Sequence, residues 1–198
     1  MPAPTTVFES DGRASAVLAA LHGERGTGDG GEAHIVLTRR AGHLRQHAGE
    51  VSFPGGRQEP GEDLWRTALR EAHEEVALDP VTVRRLAELD HLRTVTSESF
   101  IVPFVAELPC WPDLRPHPGE VDAVLHVPLS ELLHPEAYRE ERWSLGGQER
   151  SLYFFEIVGD TIWGATAAML RNLLTLVTGT FDAADRQAPW DFPRPPAG

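Results

Sequence analysis

Lysine is missing altogether: all 18 basic side chains of this 198-residue chain are arginine. That removes Schiff-base chemistry, a lysine general base and a P-loop lysine from consideration. Any phosphate must be gripped by guanidinium forks, which are planar, bidentate and never neutral. Cysteine is nearly missing too. The single Cys110 excludes an intrachain disulfide and gives no reason to place the chain in an oxidising compartment. Lying between Pro109 and Trp111, it reads as a buried, inert thiol rather than a nucleophile. No membrane-length apolar run exists: the longest, Ile162 to Val177, contains Arg171 and Asn172. The opening MPAPTTVFES lacks the basic and apolar regions of a signal peptide, so a cytoplasmic location is expected. Positive charge is in deficit, with 30 Asp+Glu against 18 Arg and a formal charge of −12. This argues against a nucleic-acid surface and against anionic lipid as a partner.

What is present suggests one mixed α/β domain spanning 1–198, with 1–12 and 190–198 loosely ordered. RASAVLAAL, from Arg13 to Leu21, is rich in Ala and Leu and suggests a short helix. A Gly-rich connector follows. Its Gly26, Gly28 and Gly31 spell G-x-G-x-x-G, but that fingerprint works only between a strand and a helix N-terminus. Here the segment before it reads as helix and the one after it, His34 to Thr38, as strand, so a plain loop is expected. Asp63 to Leu78 is the clearest helix, closed by Pro80. Strands are expected near Leu86–Val95, Phe100–Glu107, Val121–Val127 and Leu152–Val158, with a short helix from Ser130. Trp163 to Thr178 is apolar around most of its circumference and suggests a buried helix. Helices should cover both faces of the sheet.

The chemistry concentrates in GGRQEPGEDLWRTALREAHEEVAL, Gly55 to Leu78. On a helix, Glu71 and Glu75 lie one turn apart and Glu74 stands beside them. Carboxylates so crowded repel one another unless a cation sits among them, and a carboxylate set suits Mg²⁺ or Mn²⁺. Leu64, Ala68, Ala72 and Val76 form an apolar stripe that would fasten this helix to a core. Taken alone, such a face could equally be a solvated acidic surface.

Spacing decides otherwise. Gly56, Glu62, Arg70, Glu71, Glu74 and Glu75 resemble the Nudix box, G-x5-E-x7-R-E-U-x-E-E-x-G-U. The resemblance implies a Nudix-type α/β/α sandwich with a mixed β-sheet, and a hydrolase of nucleoside diphosphate derivatives that uses Mg²⁺ or Mn²⁺. It maps metal ligation onto Glu71, Glu75 and Glu74, with the Gly55 carbonyl beside them, and makes Arg70 the group that orients the carboxylates. One position departs: the final box glycine is Ala77. That glycine normally ends the helix in a left-handed conformation, so the departure leaves the geometry of the turn before Pro80 open, while the ligands upstream are expected to survive.

Directly upstream, LTRRAGHLRQHAGEVSFPGG (Leu37 to Gly56) resembles the extension of the coenzyme A pyrophosphatase branch of that family, as do PGEVDAVLHVPLSELL and IWGATA further on. The branch implies hydrolysis of coenzyme A to 3′,5′-ADP and 4′-phosphopantetheine. Arg39, Arg40, Arg45 and Arg57 form the densest basic stretch and are candidates to clamp the substrate phosphates. For the general base, Glu71, then Glu120 and Asp122, then Glu98 are candidates. His43 and His47 sit four apart, but without a third ligand nearby they make a poor zinc site. The five tryptophans default to core or interface roles. Two alternatives stand: a sister enzyme acting on ADP-ribose, a dinucleotide or an oxidised nucleotide, and a non-hydrolytic nucleotide-binding module. The expected partner is a small molecule; a homodimer is left open.

Overall fold

The structure, a computed structural model, describes residues 4, 7, 14–26, 31–93, 100–145 and 148–179. The main sheet takes its order from a central strand, β1 (Ala14–His22), which pairs with β2 (His34–Arg40) and β4 (Gly55–Arg57) antiparallel and with β7 (Phe100–Glu107) parallel. Beyond β2 lie β3 (Val51–Ser52) and β8 (Val121–Pro128); beyond β7 lie β5 (Arg84–Glu88) and β6 (Leu92–Arg93). The sheet is therefore mixed. Helix α1 (Leu64–Val76) packs on one face against Leu18, Val36, Phe104 and their neighbours. The other face carries Ile35, Leu37 and Val105 and is covered by α3 (Gly164–Thr178) and residues of a three-stranded sheet. That second sheet is β9 (Tyr138–Leu145), β10 (Gln148–Ile157) and β11 (Asp160–Trp163), reached through the single-turn α2 (Leu129–Leu132). The expected α/β/α sandwich is present.

Several local expectations are corrected. The run read as a helix from Arg13 to Leu21 is, from Ala14 on, the central strand β1. A strand covered on both faces has no polar side to show, so its pattern is a continuous apolar run indistinguishable from a helical one. Its alanines are what the position needs, because Ala16 and Ala20 lie fully buried on the face that α1's Ala68 and Ala72 also fill. Consequently a strand, not a helix, precedes the Gly-rich connector, and another strand follows it; Gly28 itself lies outside the described residues. Strands β9 and β11 were not expected: YREERWSL is too charged to show an inward face, and DTIW is only four residues long. Cys110 is exposed rather than buried. The prolines on either side of the Cys110–Trp111 pair keep the loop on the surface, and it is Trp111 that turns inward, against His22, His34 and His126. The expectations for 1–12 and 190–198 fall on residues almost wholly outside those described.

Helix α1 begins where expected, with Asp63 accepting the Arg66 N–H at 3.0 Å. It ends earlier than expected. Ala77 takes up the left-handed conformation at φ 55°, so the alanine performs the turn that the box assigns to glycine, and Pro80 only opens the next 3₁₀ turn. A Cβ in that region costs about 1 kcal/mol. Ala77→Gly is therefore expected to stabilise the fold by about 1 kcal/mol, raising the thermal midpoint by about 2–4 °C. Thermal unfolding monitored by circular dichroism measures this directly; a lower midpoint would show that the alanine carries no strain.

Candidate metal-dependent hydrolase site

Sheet register gathers the site at one end of the strands. The start of β1 meets Gly55 and Gly56 of β4, and the end of β2 meets the start of β8, where Arg40 pairs with Val121. Against this corner α1 lays the face carrying Glu71 and Glu75. The approach is close enough to dictate the loop's composition. A Cβ on Gly55 would stand 2.4 Å from the Ala16 carbonyl, and one on Gly56 would stand 2.4 Å from the Glu71 carboxyl carbon. Gly55 donates its N–H to Glu75 Oε2 at 3.1 Å.

Arg70 organises the carboxylates. Its guanidinium reaches Glu62 (3.1 Å), Glu71 (3.0 Å) and Glu74 (3.0 Å) and also donates to the Arg57 carbonyl at 2.9 Å. Hydrogen bonding to Glu62 and the other carboxylates raises its already high pKa. For Glu62, burial pulls upward, but bonds from Arg70 and from the Thr67 hydroxyl outweigh it and hold the carboxyl below its ordinary range. Glu71 and Glu75 go the other way. Burial raises both, Glu75 to about 7; the charges on Glu74 and Glu120 add to it at Glu71, and those on Glu71 and Glu120 at Glu75. The corner thus holds a concentration of negative potential that one guanidinium does not cancel.

The positions expected from sequence divide as follows. Glu71, Glu75, Gly55 and Glu120 come together; Glu74 is more exposed and turned toward Arg70. Arg40 places Nη1 3.9 Å from Glu75 Oε1, and its buried Nε has no hydrogen-bond partner. Arg39 is engaged elsewhere, with Nε donating to Asp160 at 2.8 Å and a second bond from Nη2, which ties the β10–β11 turn to β2. Arg45 and Arg57 are exposed, and Arg57 adjoins the site through its carbonyl, which accepts from Arg70. Among the base candidates, Asp122 accepts the Gly42 N–H and Glu98 lies outside the described residues. His43 and His47 lie in a loop, not on a helix, and His47 bonds Glu50. Two features escaped the sequence reading. Asp160 as partner of Arg39 is a contact across 121 residues, and Arg40, whose Nε is orphaned, stands at a register shift between Arg39 and Arg40; neither leaves a local pattern.

Among the described residues, no three acidic, His or Cys side chains already converge as a closed metal cage. The donor set nevertheless fits a divalent cation: all-oxygen, crowded, and partly buried so that its charge is poorly screened. The sequence profile described as the NUDIX domain matches residues 12–145. The chain belongs to the Nudix family. It is 39% identical over 140 residues to the uncharacterized Nudix hydrolase NudL of Photorhabdus laumondii, covering 70% of this chain and 74% of that one. It is 38% identical over 164 residues to the chloroplastic Nudix hydrolase 22 of Arabidopsis thaliana, covering 76% of this chain but only 52% of the plant protein. A C. elegans Ap4A hydrolase complex shares the fold, at TM-score 0.50 and 19% identity, over 60% of this chain and 82% of that one. This Nudix protein is accordingly a pyrophosphohydrolase of nucleoside diphosphate derivatives, an enzyme class that uses divalent metal ions. No helix among the described residues is long and apolar enough to cross a membrane.

The fit of Gly56 beneath Glu71 is testable in this Nudix site. Gly56→Ala should push the Glu71 carboxylate aside, because that flexible side chain yields more easily than backbone. The expected result is a fall in kcat of at least an order of magnitude with an essentially unchanged thermal midpoint. Parent-like turnover in the alanine variant would show that Glu71 need not occupy this position.

Proposed function

We propose that this Nudix enzyme hydrolyses the pyrophosphate of coenzyme A, or a derivative of it, to 3′,5′-ADP and 4′-phosphopantetheine with Mg²⁺ or Mn²⁺. The observation that carries the reading is the course of Leu37–Gly56. The stretch that resembles the coenzyme A branch runs along β2, through the 41–50 loop and β3 to the site, and it delivers Arg40 to within 3.9 Å of Glu75.

In this reading Glu71, Glu75 and Glu74, with the Gly55 carbonyl, hold the metal. Bound there, the metal would lower the pKa of the attacking water and neutralise developing phosphate charge. Arg70 keeps the carboxylates apart and oriented. Arg40, Arg45 and Arg57 bind phosphate oxygens as planar forks and fix the pyrophosphate for in-line attack. Water adds to one phosphorus, the bridging P–O bond breaks, and Glu120 accepts the proton that water loses. Glu120 is the best-placed acceptor because it is exposed yet close enough to raise the pKa of both Glu71 and Glu75.

The test is a product analysis by mass after incubation with coenzyme A, ADP-ribose or 8-oxo-dGTP, each with Mg²⁺ or Mn²⁺. Metal-dependent 3′,5′-ADP and phosphopantetheine should form from coenzyme A, with the other two cut at least an order of magnitude more slowly. Cleavage of another substrate with coenzyme A left intact would overturn the branch assignment. Glu75→Gln should abolish turnover; a variant that binds nucleotide like the parent, when the parent cuts nothing, would point to a binding module.

A further inference from the structure

We propose that the main-chain N–H of His117 is a positioning group that sets the register between the metal-binding face of α1 and Glu120; the inference rests on Glu120 acting as the proton acceptor. It begins at Ala77. Because that residue turns left-handed, Ala77 N–H makes the last helical bond to His73 and Leu78 N–H reaches back to Ala72. The carbonyls of Glu75 and Val76 are then open to outside donors. Both are taken by the β7–β8 connection: His117 N–H bonds the Glu75 carbonyl at 2.8 Å and Arg115 N–H bonds the Val76 carbonyl at 2.9 Å. Three residues on, the chain folds back. Glu120 N–H and Val121 N–H both donate to the His117 carbonyl, at 3.0 and 2.9 Å, and the Glu120 carbonyl accepts the Ala41 N–H at 2.9 Å.

Glu75 is therefore held at both ends, by Gly55 through its carboxylate and by His117 through its carbonyl. Glu120 is clamped between α1 on one side and the end of β2 on the other. A purely capping role would need only some donor at the helix end. This arrangement places the donor and the base three residues apart on one tight turn, so any slip of His117 along α1 moves Glu120 relative to Glu71 and Glu75.

His117 lies between Pro116 and Pro118, and the following proline keeps it extended, a backbone region that proline itself accepts. His117→Pro thus removes the N–H with the local backbone conformation kept, and its Cδ, set against the Glu75 carbonyl, forces the turn away from α1, whereas His117→Ala keeps the bond. With coenzyme A as substrate, His117→Pro is expected to lower kcat by about 10–100-fold with KM within a few-fold, and His117→Ala to retain the parent kcat. In a Glu120→Gln background, itself down about 10²-fold, His117→Pro should cost nothing further. Equal losses in both backgrounds, or a parent-like kcat for folded His117→Pro, would overturn the proposal while leaving Glu120 as the base. An unaltered kcat in Glu120→Gln would instead remove Glu120 itself. Should the proline variant fail to fold, a glycine inserted between Pro118 and Gly119 keeps the His117 bond yet displaces Glu120 by up to about 3.5 Å; it should show the same loss, and a parent-like kcat there would refute the register argument.

Discussion

One guanidinium among several carboxylates is the interaction on which the site depends. Arg70 touches Glu62, Glu71 and Glu74 at once, while Glu75 stays out of its reach, buried, with only a backbone N–H and the distant Arg40 for relief. Like charges at this density would drive the corner apart if it were merely surface. Arg70 compensates part of the charge and leaves the rest concentrated on Glu71 and Glu75, the two carboxylates that burial pushes upward. Stability and function therefore pull on the same residues. That unbalanced negative potential is what the proposed metal ion would balance.

Holding that potential in place is a packing problem, and small residues solve it. Alanines on β1 and α1 let helix and sheet approach closely, while the absent Cβ atoms let Gly55 lie against β1 and Gly56 lie beneath Glu71. The far side of the arrangement is closed by the β7–β8 connection. Its distal end is seated by Trp111 among His22, His34 and His126, the first and last of which share a 2.8 Å hydrogen bond between Nε2 and Nδ1. Burial keeps His22 below its ordinary pKa and drives His126 down to about 4. At neutral pH these two rings are uncharged, and Trp111 packs on them as on any aromatic surface. The proximal end is fixed by main-chain bonds to α1.

Much of this was legible in the chain because it is local. The box fixes Glu62, Arg70, Glu71, Glu74 and Glu75 on a helix and its approach, where a period of 3.6 determines which side chains meet. Strands with one polar face, or with β-branched runs such as Phe100–Glu107, announced themselves as well. What stayed hidden is non-local or pattern-free. The central strand looked helical because both its faces are covered and its residues are Ala and Leu. The Arg39–Asp160 pair and the seating of Trp111 join residues far apart in sequence. Ala77 is the instructive case: the missing glycine left the turn's geometry open, yet the left-handed turn is made all the same, because the Cβ penalty is small beside the packing of Val76 and Leu78 on the core.

The remaining tension is electrostatic. A chain with a formal charge of −12 is proposed to take a substrate that is itself a polyanion. Average charge is the wrong measure, since fields from exposed groups fade within about 10 Å at ordinary salt. What the incoming phosphates meet is local. Arg39 and Arg70 are committed to Asp160 and to the box carboxylates, whereas Arg40 reaches Glu75 from the end of β2, and in the proposed reading Arg45 and Arg57 join it from the 41–50 loop and β4. Because every one is arginine, none can shed its proton when it is desolvated against acidic neighbours, as lysine does. A net-acidic protein without lysine can therefore keep a reliably cationic rim around a carboxylate centre, and the two together present opposite charges to the two parts of a metal–pyrophosphate substrate.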